Sequence, residues 1–268
     1  MSETVLLVGC GNMGRAMLEG WLAAKPSLAA FVVEPADALR DRAAGLGATC
    51  VSSPGDLPDG LSPDLIFLAV KPQVMPAVLP DYAGFTGSTF VSIAAGTTVA
   101  TLRAGLGANA PVIRCMPNTP AAIGAGMMVC WGTGNVAGDA RALTADLLAA
   151  SGKVAWIDDE ALMDAVTAVS GSGPAYIFHF IEALTASAVK AGLPQDLSET
   201  LAMQTVMGAG RLAAESDTPP GTLREQVTSP GGTTAAGLSV LRETGALEAL
   251  LAETVEAARA RGEELGKA

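Results

Sequence analysis

The sequence predicts an α/β protein. A Rossmann-type parallel sheet with helices on both faces occupies residues 1–160, and an all-α region follows over residues 161–268. Three observations carry this expectation. Val5-Leu6-Leu7-Val8 is a continuous apolar run that reads as a buried strand, and it passes directly into Gly9-x-Gly11-x-x-Gly14 and a helical pattern. Short apolar runs then alternate with helical segments as far as Ile157, which implies a parallel sheet covered on both sides. After Glu160 the strand pattern stops, and Gly, Pro and Ser clusters separate helical segments only.

The glycine stretch is expected to bind a dinucleotide. Gly9 permits the tight turn, Gly11 lets backbone approach a pyrophosphate, and Gly14 lets helix pack on strand. The helix start offers free N–H groups and partial positive charge to that phosphate. Cys10, Asn12 and Met13 lie between the glycines and are expected at the same ligand.

Taken in order, Phe31–Val33 reads as the second strand, ending at Glu34-Pro35, and 36–46 as a polar-faced helix stopped by Gly47. Residues 48–51 read as a short strand. Leu65–Val70 is apolar throughout, as a strand buried on both faces should be, and Lys71-Pro72 ends it. Further strands are expected at 89–93, 112–116, 127–131 and 154–157, with a helix at 141–149. Beyond Glu160, helices are expected at 161–169, 175–191, 197–214, 235–243 and 247–265. The helix from Tyr176 to Val189 is apolar on nearly every face and needs covering all round. In so small a bundle a second subunit is the natural cover, so a homodimer or higher homo-oligomer is expected.

Composition excludes several classes. The net charge is −11 and the 16 Lys and Arg are scattered, whereas a phosphate-backbone binder needs them clustered. No nucleic-acid partner is expected. Cys10, Cys50, Cys115 and Cys130 have no metal-type spacing, so neither a metal site nor a disulfide framework is expected. Reduced thiols and the lack of a secretory peptide before Val5 point to the cytoplasm. The apolar stretch 165–189 is interrupted by Gly171-Ser172-Gly173-Pro174 and carries Glu182, so it reads as buried helix, with no membrane partner.

Glu34 stands 20 residues after Gly14, at the end of the second strand. An acidic side chain there accepts hydrogen bonds from the ribose hydroxyls of NADH and repels the extra phosphate of NADPH. Arg40 and Arg42, one to two turns into the next helix, could instead reach that phosphate. The sequence leaves NADPH or NADH open.

Other segments lie at the carboxyl ends of strands, where ligands bind in open α/β sheets. These are Ala69-Val70-Lys71-Pro72-Gln73, Ser92-Ile93-Ala94-Ala95-Gly96-Thr97-Thr98 and Arg114-Cys115-Met116-Pro117-Asn118-Thr119-Pro120. Together with Ser170-Gly171-Ser172-Gly173-Pro174-Ala175-Tyr176 and Ser229-Pro230-Gly231-Gly232-Thr233-Thr234-Ala235-Ala236-Gly237, they make the chain resemble the pyrroline-5-carboxylate reductases end to end. The resemblance implies reduction of a cyclic imine, L-1-pyrroline-5-carboxylate, to L-proline by NAD(P)H.

The resemblance also implies site residues. Ala69, Val70, Lys71 and Pro72, with Ala94 and Ala95, match segments that touch ribose and nicotinamide. Asp56 matches an asparagine at the adenosine end; ionised Asp accepts but cannot donate, a departure that weakens the case for NADPH. Glu160 is placed near the cofactor, with a solvated helix-start carboxylate as its other reading. The substrate carboxylate falls to Ser229, Gly232, Thr233 and Thr234, where glycines and a helix start also make a physical anion cradle. Gly171, Ser172 and Gly173 match a second substrate-lining turn. Thr234 is the candidate catalytic residue, as hydrogen-bond partner of the substrate nitrogen; its other reading is a helix N-cap. His179, the single histidine, reads as packed in an apolar helix. The alternatives are a related cyclic imine or hydroxyacid reductase, or an NAD(P)-sensing module without turnover. Against a hydroxyacid enzyme, Lys190 is the single lysine between 161 and 210 and lies at a helix end.

Overall fold

The computed structural model describes residues 3–267. Two compact units form: one comprises the residues up to Ser172 together with those from Ala258 onward, the other Gly173–Ala257.

The first unit is built on an eight-stranded sheet. Its strands are β1 (Thr4–Val8), β2 (Ala29–Val33), β3 (Thr49–Val51), β4 (Leu65–Leu68), β5 (Thr89–Ser92), β6 (Val112–Met116), β7 (Gly126–Gly132) and β8 (Gly152–Trp156). Their spatial order is β3-β2-β1-β4-β5-β6-β7-β8, so the sheet reverses direction of growth between β1 and β4. That reversal is the switch point at which a doubly wound fold opens a ligand crevice. The helices of this unit before the linker are α1 (Asn12–Ala24), α2 (Asp37–Ala44), α3 (Met75–Val78), α4 (Val99–Leu106) and α5 (Gly138–Ala149).

The apolar runs follow from burial on two faces. Along β1, Val5 and Leu7 join one core with Met17, Leu18 and Trp21 of α1 and Leu147 and Leu148 of α5. Leu6 and Val8 join the opposite core with Met75, Leu79 and Leu102. A strand with both faces covered has no position for a polar residue, so alternation vanishes. Trp21 stacks obliquely on Phe67 of β4, ring centroids 4.4 Å apart.

The sheet departs from the fully parallel expectation at one place. β1 to β6 are parallel, but β7 runs antiparallel to β6, and β8 pairs parallel with β7. The reason is the length of the connection. Residues 117–125 hold one 3-10 turn, Thr119–Ile123, stopped by Gly124 at φ +71°. That is too short for the crossover of about a dozen residues that a parallel neighbour requires.

After β8 the strands end. A 3-10 turn (Glu160–Leu162), α6 (Met163–Val166) and a π-helical turn (Thr167–Gly171) complete the main run of the first unit. The second unit contains α7 (Gly173–Lys190), α8 (Gln195–Glu215), α9 (Pro220–Gln226) and α10 (Thr233–Arg242), and α11 (Ala246–Lys267) begins in it. The sequence patterns predict none of α3, α4 and α9; all three are short, with Pro, Thr or Gly in or beside them. α7 and α8 pack on each other, yet among the described residues of this unit only Ser198 and Ala202 are buried. Ile177, Phe178 and Phe180 of α7 and Met203 and Met207 of α8 are all about half exposed. His179 is not packed as expected: its side chain is exposed, with Nδ1 3.2 Å from Glu182. No helix among the described residues is long and apolar enough to cross a membrane.

Candidate functional site

The turn from β1 into α1 is shaped by its glycines. Gly9 takes φ +86°, and a Cβ there would meet Val70 at 2.9 Å. A Cβ on Gly14 would stand 2.7 Å from the Gly9 carbonyl oxygen, so helix and strand approach as closely as backbone allows. At Gly11 a Cβ would meet nothing within 4 Å. Gly11 is also the N-cap of α1 and supplies no side-chain cap, and the first turn holds no acid. Open space in front of uncapped N–H groups is what a pyrophosphate needs. Cys10 is buried, Met13 half-buried and packed on the core, and Asn12 exposed at the helix start.

Glu34 closes the turn from the other side. Its carboxylate is buried and accepts the Cys10 N–H at Oε2 (2.7 Å) and the Ala36 N–H at Oε1 (3.0 Å). Arg40 donates to the carbonyls of Glu34 (3.1 Å) and Pro35 (3.2 Å) and pairs with Asp37. Arg42 lies on the exposed side of α2. Burial, and then the negative Glu34, push the Cys10 thiol up from 9.0 to about 11.

A cleft of about 510 Å³ opens at the carboxyl ends of β1, β2 and β4. Gly11, Glu34, Ser53, Lys71, Val74 and Tyr82 are among its walls. Ala69 and Val70 line it as well, and the Ala69 N–H donates to Val8 O (2.8 Å). Asp56 is exposed and is tied to this wall through serines. Its Oδ2 accepts from Ser53 Oγ (2.8 Å), Ser52 Oγ (3.0 Å) and the Ser53 N–H (3.2 Å), and the Ser53 hydroxyl chiefly holds its carboxyl below the usual range.

A second cavity of about 340 Å³ begins at Pro72, next to Lys71, and includes Ala95, Gly96, Leu265 and Gly266. Here the C-terminal end of α11 lies against the loop after β5: a Cβ on Gly96 would be 3.3 Å from Leu265 Cβ. The same loop is held from below. Glu160 Oε1 accepts the Val99 N–H at the start of α4 (2.9 Å) and Arg114 (2.8 Å). Glu160 is therefore neither a free solvated carboxylate nor part of the first cleft. Arg114 went unassigned by sequence reasoning. Its signal was a cation inside the otherwise apolar strand Val112–Met116, which must find a partner.

The turn Gly171-Ser172 follows the π-helical turn, with the Ser172 N–H donating to Thr167 O (2.8 Å). A Cβ on Gly171 would fall on the Met116 methyl at 2.4 Å. Gly173 is the first residue of α7.

The second unit carries the loop before α10. The Gly232 N–H donates to Ser229 O (3.0 Å), Pro230 is the first central residue, and Gly231 is at φ +71°, which makes a type II turn. Gly232 is the N-cap of α10, so Thr233 and Thr234 fall in its first turn and Thr234 is not the cap. The side chains of Ser229, Thr233 and Thr234 are exposed and make no hydrogen bond to another described residue. Uncapped N–H groups and three free hydroxyls converge on one helix start, an arrangement that suits a carboxylate.

Comparisons with known proteins agree over the full length. Residues 160–265 match the family model described as pyrroline-5-carboxylate reductase dimerisation, and residues 4–96 match that of NADP oxidoreductase, coenzyme F420-dependent. The chain is 38% identical to the pyrroline-5-carboxylate reductase of Pseudomonas aeruginosa, covering 98% of this chain and 97% of that one. It is 40% identical to that of Synechocystis sp., covering both chains completely. The solved structure of a pyrroline-5-carboxylate reductase from Coxiella burnetii superposes with a TM-score of 0.92 at 32% identity over all of both chains. That of the Plasmodium falciparum pyrroline carboxylate reductase, with NADP bound, gives 0.83 at 30% identity over 98% of each.

Two outcomes follow from this geometry. Arg114→Met removes the cation from the partly exposed Glu160 carboxylate and should cost about 1–2 kcal/mol, read as a lower denaturant midpoint; an unchanged midpoint would refute the pairing. Cys10 should resist thiol reagents at neutral pH in the folded protein and react once unfolded. Because its folded pKa is raised, its contribution to stability is complete below about pH 9 and is lost as pH rises towards about 11. Denaturation midpoints of wild type and Cys10→Ser across that range check the sign.

Proposed function

The chain belongs to the pyrroline-5-carboxylate reductase family, and from that premise we propose how its residues divide the work. It is an NAD(P)H-dependent oxidoreductase that reduces the C=N bond of L-1-pyrroline-5-carboxylate to give L-proline. The observation that supports the site assignment best is the open, uncapped helix start at Gly11, set beside a cleft at the switch point of the sheet.

Gly9, Cys10, Gly11, Asn12, Met13 and Gly14 would form the pyrophosphate turn, with the free N–H groups at the start of α1 as donors and Gly9 and Cys10, whose N–H groups go to Val33 and Glu34, shaping it. Glu34, with Asp56 behind Ser52 and Ser53, would bound the adenosine end. Ala69, Val70, Lys71 and Pro72 would bound the ribose, and Ala94 and Ala95 the nicotinamide, with Glu160 bracing that loop through Val99. When bound, the reduced nicotinamide supplies the hydride. The chain's own task is positioning: the Ser229–Thr234 loop fixes the substrate carboxylate, Gly171, Ser172 and Gly173 form a substrate-lining turn, and Thr234 hydrogen-bonds the ring nitrogen. The imine arrives protonated from water, and its nitrogen ends as the amine of proline. Alignment of this kind is itself a large part of a rate enhancement.

For the cofactor we infer a preference for NADH. The Glu34 carboxylate is held by two N–H donors at the place of the ribose hydroxyls, where a 2′-phosphate would have to fit against it. Arg40, which could offset a 2′-phosphate, is already engaged with two carbonyls and Asp37. We assign residues 161–268 to substrate binding and to assembly as a homodimer or larger homo-oligomer. The half-exposed Ile177, Phe178, Phe180, Met203 and Met207 support a second copy of the chain as their cover. The free cysteines favour a cytoplasmic setting.

The deciding assay is loss of reduced-nicotinamide absorbance with L-1-pyrroline-5-carboxylate. Turnover is expected with both cofactors and a higher kcat/KM for NADH, and no turnover by folded protein would defeat the substrate assignment. Glu34→Ser should shift the NADPH-to-NADH ratio upward by roughly tenfold, the scale of one partly screened charge pair; an unmoved ratio would remove Glu34 from selectivity. Thr234→Ala should lower kcat/KM by about tenfold or more, in line with one hydrogen bond to a charged group. Wild-type kinetics in that variant would end the role given to Thr234.

A further inference from the structure

The loop after β6 and the linker before α7 meet at one side chain, Asn118. Its Oδ1 accepts the Met127 N–H of β7 (2.8 Å), and its Nδ2 donates to the Ser170 carbonyl (3.0 Å). One bond requires an oxygen and the other an NH₂, so the amide orientation is fixed by its surroundings. Asn118 is also the N-cap of the turn Thr119–Ile123 but makes no capping bond with its side chain. Asn is a favoured N-cap, so this residue has given up its usual local bond for two distant ones.

The chemistry at Ser170 explains why a side chain is needed there. In a continuing helix the Ser170 carbonyl would receive the N–H of residue 174. Residue 174 is proline and has no N–H. The Asn118 Nδ2 supplies the missing donor. The backbone around it is already loosened: Thr167 Oγ1 and Ser170 Oγ donate to the carbonyls of Met163 and Val166, a bond type that bends helices. The turn Thr167–Gly171 is π-helical, a rare form found mostly at functional sites. Gly171 then lies directly against Met116, two residues before Asn118, where no larger residue fits without displacing the Met116 methyl.

We propose that Asn118 is a positioning residue for the reductase reaction. It donates the hydrogen bond that Pro174 cannot, holds the π-helical turn in place, and so sets the aim of the Gly171-Ser172 backbone towards the imine. This rests on the assignment of Gly171, Ser172 and Gly173 to the substrate. Asn118 touches neither substrate nor cofactor in this role.

The test separates the two ends of the amide. Asn118→Asp keeps the acceptor for Met127 and removes the donor to Ser170. Full-length wild type and N118D are assayed with L-1-pyrroline-5-carboxylate and NADH, each varied in turn. Absence of wild-type turnover would count against the substrate reading alone; the inference is judged on the split of constants in active enzyme. The expected result is a KM for the imine raised about fivefold or more, with the KM for NADH within about twofold of wild type. An unchanged imine KM, or both constants rising together, overturns the inference. The double variant N118D/P174A covers the case in which N118D does not fold. Residue 174 now has an N–H for the Ser170 carbonyl, so this variant should fold and return the imine KM to within about twofold of wild type. A double variant that fails to fold or stays fivefold impaired overturns it as well.

Discussion

At Gly14 the first helix touches the carbonyl of Gly9, and no residue with a side chain could occupy that position. The contact fixes the angle at which α1 leaves β1. It puts the uncapped N–H groups of α1 over the carboxyl edge of the sheet, next to the point where strand order reverses. Trp21 and Leu18, further along the same helix, can then reach the core under β1 and β4. The cleft and the core are therefore consequences of one close approach. The buried Glu34 stiffens it by taking the Cys10 N–H across the turn.

Several polar side chains inside the first unit each join two segments that chain connectivity alone would leave loose. Glu160 ties the end of the strand series to the start of α4 and to Arg114 of β6. Thr133 Oγ1 accepts the Val112 N–H and donates to Asn135, which also receives Arg103. Asn118 ties β7 to the π-helical turn. A buried donor or acceptor left unmatched costs more than a formed bond returns, so such residues specify one arrangement of loops among many that the apolar core would tolerate. The second unit works differently. Among its described residues it buries only Ser198 and Ala202, and it presents half-exposed Phe, Ile and Met along α7 and α8.

Much of this is legible in the amino-acid sequence. The runs at Val5, Leu65 and Val112 are strands because both sheet faces are covered, and their lack of alternation says so. The glycine spacing and Glu34 mark the nucleotide edge. The Ser229–Gly232 turn is written in Pro230 and Gly231, whose backbone preferences select a type II turn. What stayed hidden was what each polar side chain would meet. Arg114 and Asn118 stand inside quoted motifs, yet nothing local says that their partners are Glu160 and Ser170, some 46 and 52 residues away.

The sequence by itself marked the strands, most of the helices and the edge at which a dinucleotide would sit. These depend on periodicity, glycine and connection length, all of which act over a few residues. Tertiary structure alone decided the capture of Glu160 by Arg114 and Val99 and the rescue of the Ser170 carbonyl by Asn118. Each of these depends on where a distant segment comes to rest, and the need to satisfy buried polar groups is felt only once the chain has closed around them.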